Sequence, residues 1–163
     1  MISGGQNEPR DAIAGTAAAV LMHPFACEQL RQSVEWGQAF KEYTRWMSPI
    51  GMSPRQIGID CKVLGYDFKQ NDRVFFMFGA ANRDHSVFES PEVFDLNRDN
   101  GPAIPFGAGP HFCAGAAVSR VLIAEVALPK LFNSFPNLKL LEPVQWGGWA
   151  FRGPLSVHVR RGG

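Results

Sequence analysis

The sequence predicts an α+β fold, mainly helical, with small sheets in its middle and tail. Three observations predict it. Helix-type apolar spacing fills the first fifty residues, short β-type runs flank turn residues from about 57 to 78, and a later helical stretch precedes two strand-like pieces.

Residues 10–22 read as an Ala-rich helix whose far half is apolar all round, as a buried helix requires. His23-Pro24 ends it, because a residue before proline is pushed out of helical geometry. A second helix begins near Pro24 and reaches about Ser33, and a third spans about Gly37 to Met47, stopped by Ser48-Pro49. Ile57–Val63 and Tyr66–Phe68 around Gly65 resemble a hairpin. Asp72-Arg73 then leads into Val74–Phe78, an apolar run suited to a well-buried strand. From Ala80 to Ile104 periodicity is weak while Asn, Asp, Arg and Pro recur; so long an irregular stretch in a compact domain is functional or firmly pinned. Another helix runs from about Ala114 to Phe132, interrupted or ended near Pro129. Leu138–Leu141 and Leu155–Val159 close the chain as strand-like pieces.

At 163 residues the chain suffices for one sizeable core and hardly for two. Its formal net charge of +1 creates no global field for nucleic acid or an anionic membrane. Cys27, Cys61 and Cys113 are odd in number and widely spaced, with no CxxC pair, which argues against a disulfide framework or zinc site and for a reducing cytoplasm. The apolar run Ala12–Met22 is too short to span a bilayer and lacks a basic segment before it, so neither a signal peptide nor a membrane helix is expected.

The chemistry concentrates in Phe106-Gly-Ala-Gly-Pro-His-Phe-Cys-Ala-Gly115. Glycines at 107, 109 and 115 allow the backbone to turn tightly against a flat ligand. Cys113 is expected at a helix N-terminus, where unpaired amides and the helix dipole favour a thiolate. The run fits F-x-x-G-x-[HR]-x-C-x-G at Phe106, Gly109, His111, Cys113 and Gly115, and so resembles the haem-binding loop of the cytochrome P450 family. The resemblance implies that Cys113 is the thiolate ligand of a haem b iron. Such a ligand donates electron density and favours O–O cleavage.

Further stretches are similar to the same family. Glu42-Tyr-Thr-Arg45 places a carboxylate and a guanidinium at i, i+3 on one helix, as in the family's ExxR pair, and Arg98 matches the arginine that joins it; the cluster's implied role is structural. Phe78-Gly-Ala-Ala-Asn-Arg-Asp84, with Val87-Phe88-Glu-Ser-Pro91, resembles the family's AANRDP stretch, His85 standing where proline is usual. By the same resemblance Arg55 and His111 pair with haem propionates, through short charge-assisted bonds.

The resemblance covers nearly the whole chain and assigns it to the C-terminal, haem-binding half of the P450 fold: one partial domain, residues 1–163. The roof of the pocket would then come from a missing N-terminal half, or its absence be covered by self-association. The implied activity is a monooxygenase that uses O2, with electrons passing from NAD(P)H through a ferredoxin or flavin reductase, and Arg120 is a candidate contact for that donor or an ordinary surface arginine. The distal acid–alcohol pair falls here on Asn7 and Glu8. Glu8 reads equally as a proton donor or as a first-turn carboxylate complementing the helix dipole. Gly4-Gly-Gln-Asn-Glu-Pro-Arg-Asp11 is similar to P450s that O-demethylate methoxyaromatics; Ile50–Ser53, with Ile50, Met52 and Ser53 foremost, and Phe151 would then line a small apolar or aromatic substrate. Peroxide-driven chemistry and a non-catalytic, haem-poor fragment are the alternatives.

Overall fold

The computed structural model describes residues 5–33 and 35–162. Helix α1 (Asn7–Met22) begins earlier than its apolar spacing suggests and buries Ala12 and residues 15–20. Gly15 lets it cross α3 closely, since a Cβ there would collide with the Tyr43 hydroxyl. Helix α2 (Pro24–Ser33) follows at once, and α3 (Trp36–Met47) turns Trp36, Ala39, Phe40, Tyr43 and Met47 into the core. Ser48, left-handed at φ 50°, stops α3 one residue before Pro49.

Strand β1 (Ser53–Gln56) pairs antiparallel with β4 (Arg73–Phe76), and between them β2 (Cys61–Val63) and β3 (Tyr66–Phe68) form the expected hairpin around Leu64-Gly65. The apolar run at β4 was expected to be well buried. Instead Phe75 and Phe76 are 47% and 54% exposed, because β1 is the one strand paired with β4 among the described residues. A short helix, α4 (Phe78–Ala81), leads into the irregular stretch.

The last long helix is not broken at Pro129. It runs as α5 (Ala116–Arg120), a π-helical stretch Val121–Ala127, and α6 (Leu128–Ser134). Proline lacks an N–H and crowds the carbonyl four residues back. The widened π spacing before it, with Leu128 N–H bonded to the Ile123 carbonyl, accommodates that defect without a break. Ile123, Leu128 and Phe132 pack against α1 and α3, and Phe132 lies 4.6 Å from Trp36 between ring centres. The tail gives four short strands: β5 (Leu138–Leu140) pairs with β8 (Val159–Arg161), and β6 (Gln145–Gly147) with β7 (Gly153–Ser156). Among the described residues no helix is long and apolar enough to cross a membrane, and the three cysteines are free.

Candidate functional site

Three segments are held together behind one loop. Arg45 uses all five guanidinium N–H groups: Nε and Nη2 donate to Glu42 at 2.8 and 2.7 Å. The remaining bonds go to the carbonyls of Asn82, Pro91 and Val93 at 3.0, 2.8 and 3.1 Å. Glu42 also accepts from the Asp95 amide at 2.9 Å and Arg98 Nε at 3.3 Å. Arg98 in turn donates to the carbonyls of Glu89, Ser90 and Val93. Glu42 and Arg45 are fully buried. Together the three side chains turn the irregular segment 82–98 into a fixed buttress on α3.

Sequence reasoning missed the hub that extends this buttress. Asn82 is fully buried; its Nδ2 donates to Ser48 Oγ at 2.9 Å and its Oδ1 accepts from the Ile104 amide at 2.7 Å. One side chain thus ties the end of α3 to the segment that enters the Cys113 loop. Arg83 beside it donates from Nε to the Trp46 carbonyl at 2.8 Å and lies over the Trp46 ring; burial, then Arg152 and Arg45, lower its pKa. The AANRD stretch pointed to both residues, but nothing in residue type alone distinguished them from a turn.

The loop itself turns at Gly107 and Gly109, both left-handed at φ 72° and 65°. The Cys113 amide donates back to the Phe106 carbonyl at 2.9 Å, closing the loop. Cys113 lies three residues before the first residue of α5, not within its first turn; Gly115 is the N-cap, and a Cβ there would sit 3.8 Å from Cys113 Sγ. Cys113 is exposed. Phe106 packs near Phe40 and Phe112, and the Arg120 guanidinium stands 5.3 Å above its ring.

Cys113 opens onto a cavity of about 410 Å³. Of the predicted site residues, Glu8, Ile50, Ser53, Arg55, Phe106, Gly107, His111 and Gly115 line it with Cys113. Asn7, Met52, Gly109 and Phe151 do not; Asn7 is exposed, and Phe151, paired with Ile50 in an isolated bridge, is 53% exposed. Unforeseen walls come from Phe78, Leu122 and Ile123. Arg55 Nη1 donates to Ser53 Oγ and the Pro54 carbonyl, and the guanidinium stands 5.5 Å from the Phe76 ring centre, which leaves Nε and Nη2 without a hydrogen-bond partner among the described residues. Glu8 Oε2 is buried with no hydrogen-bond partner.

These residues fit a haem. An exposed thiol that lines a cavity suits a metal whose other ligands come with a cofactor. Apolar walls suit a macrocycle, and the unused donors of Arg55, with His111, suit its carboxylates.

Comparison with known proteins agrees with the geometry. The cytochrome P450 family model matches residues 30–140. The chain is 34% identical over 139 residues to the biotin biosynthesis cytochrome P450 of Bacillus subtilis, covering 85% of this chain and 35% of that protein. It is 36% identical over 148 residues to a steroid C26-monooxygenase of Rhodococcus jostii, covering 89% of this chain and 31% of that one. The crystal structure of P450BioI in complex with acyl carrier protein ligated to hexadec-9Z-enoic acid superposes with a TM-score of 0.90 at 31% identity, over 98% of this chain and 42% of that chain. The chain therefore spans about a third of its curated relatives' length, and its fold is the C-terminal part of theirs. From the buttressed cysteine loop to the helix behind it, the chain belongs to the cytochrome P450 family.

Proposed function

We propose that the chain holds haem b through the Cys113 thiolate and forms the thiolate side of a monooxygenase that inserts one oxygen atom of O2 into a small organic substrate. The observation that carries this reading is the single cavity that joins an exposed Cys113 to Arg55, His111 and Glu8. Haem, when bound, supplies the oxygen-activating redox chemistry, with electrons from NAD(P)H arriving through a ferredoxin or flavin-type partner.

The chain's own residues have separate tasks. Gly107, Gly109 and Gly115 keep the backbone low around the sulfur, so the Cys113 thiolate would be open to the haem iron it is to hold. The Glu42–Arg45–Arg98 cluster and Asn82 hold that loop still. Arg55 and His111 neutralise and orient the propionates. Ile50 and Phe78 present apolar surface and exclude water. Glu8 lines the cavity, its Oε2 buried without a hydrogen-bond partner, and its carboxyl group is placed to relay a proton. The substrate class that suits these walls is a small apolar ring, a methoxyaromatic that loses its methyl group being the specific candidate. Arg120, above Phe106 and next to the thiolate loop, is the chain's contact for the electron donor.

Glu8 also favours a second reading, peroxygenase chemistry, since a carboxyl group in the cavity suits cleavage of a peroxide O–O bond. Dithionite reduction under carbon monoxide tests the haem site: a red-shifted thiolate band is expected, absent in Cys113→Ala. A purified chain with no Soret band, or a band unaffected by Cys113→Ala, overturns it. Turnover with hydrogen peroxide and no reductase decides between the two chemistries.

A further inference from the structure

Arg152 has a placement that neither the cluster behind the loop nor the thiolate explains. Its side chain runs between two glycines from distant segments. A Cβ on Gly79 would lie 2.5 Å from Arg152 Nη1, and one on Gly51 would lie 2.3 Å from the Trp149 carbonyl oxygen and 2.7 Å from Arg152 Cδ. Backbone bonds draw the same three segments together: Arg152 N–H to the Pro49 carbonyl at 2.8 Å, Gly51 N–H to Ala150 at 2.9 Å, and Gly79 N–H to Gly51 at 3.0 Å. Among the described residues the guanidinium has no ion-pair partner, and its charge opposes that of Arg83.

The two glycines adjoin cavity walls. Gly51 follows Ile50 and Gly79 follows Phe78, and both Ile50 and Phe78 line the cavity with Cys113. We propose that Arg152 is a positioning residue for substrate recognition: its side chain, threaded between Gly51 and Gly79, sets the spacing of the Ile50 and Phe78 walls. The inference rests on the cavity being the haem site. The guanidinium acts as a rigid spacer here, a use that its planar shape and long stem permit.

Gly79→Ala is the sharpest probe. Apart from the guanidinium, the nearest atom to its new methyl is the Gly51 carbonyl oxygen at 3.7 Å, an ordinary contact, so the substitution displaces the Arg152 guanidinium and leaves the backbone in place. Two azoles report on the haem-loaded chain through the Soret shift. Imidazole needs the iron alone, whereas 4-phenylimidazole also presses on the walls. Gly79→Ala and Arg152→Ala are each expected to weaken 4-phenylimidazole about tenfold. Imidazole binding and the carbon monoxide band stay unchanged, Arg152→Lys recovers part of the loss, and Gly79→Ala in an Arg152→Ala background adds nothing. Equal weakening of both azoles, no change in either, or additive effects of the two substitutions overturns the inference while the haem site stands. A wild-type chain without a Soret band overturns the site and the inference together. Should Arg152→Ala fail to fold, Gly79→Ala, which retains the arginine, decides alone.

Discussion

Arg45 grips Glu42 with two parallel bonds, Nε to Oε2 at 2.8 Å and Nη2 to Oε1 at 2.7 Å, and neither side chain meets water. Removing one partner of such a pair leaves the other charge buried and unpaired, which costs about 3–5 kcal/mol. Glu42→Gln is therefore expected to shift the urea unfolding midpoint sharply downward. Arg45→Lys should do nearly as much harm, since three ammonium donors cannot reach the four carbonyl and carboxylate groups that five guanidinium donors serve. A midpoint unchanged in both variants contradicts the buttress.

Cys113 is exposed and bonds through its backbone, the amide to Phe106 and the carbonyl to Ala116. Cys113→Ser should leave the fold intact, with stability within about 0.5 kcal/mol of wild type, as for an ordinary surface change. The carbon monoxide band should nevertheless lose its red shift. Far-ultraviolet circular dichroism and the difference spectrum, taken on one sample, separate the two effects.

Glu8 Oε2 is buried without a hydrogen-bond partner, so its replacement breaks no bond at that atom. Glu8→Gln should leave stability unchanged or slightly raised, while product formation falls at least about a hundredfold, the low end for a positioned general acid. Product assays set against unfolding midpoints measure both. Loss of stability with turnover intact would return Glu8 to the role of a helix-start carboxylate.

The β2–β3 turn carries Leu64 at φ 51° and Gly65 at φ 86°, and Leu64 is 93% exposed. Left-handed backbone costs a branched, non-glycine residue about 1–2 kcal/mol, and asparagine less. Leu64→Asn is expected to raise the thermal midpoint by a few degrees, equivalent to about 1 kcal/mol. Scanning calorimetry of the two chains checks it.

Much of this was legible in the residues. Apolar spacing and Pro24, Ser48 and Pro49 placed the first three helices to within a few positions, because helix ends follow local chemistry. The spacing of Phe106, Gly109, His111, Cys113 and Gly115 located the loop, and Glu42, Arg45 and Arg98 met as their pattern implied. Strand β1 escaped notice because Ser-Pro-Arg-Gln carries no apolar alternation; its pairing with β4 makes it a strand. Asn82 escaped because its burial depends on partners 34 and 22 residues away, which no local window contains. The exposure of Phe75 and Phe76 was hidden for the opposite reason: an apolar run says what a strand would bury and is silent on whether anything covers it.

The buttress also dictates an order of assembly. Its bonds join α3 to residues 37 to 56 positions further along, so each requires a long loop to close first, at a cost in chain entropy that local helix formation does not bear. Helices α1 to α3 can form early, but the Cys113 loop gains its shape only after the segment 82–98 has folded onto them. A cofactor held through that loop would therefore be captured late in the folding of this chain.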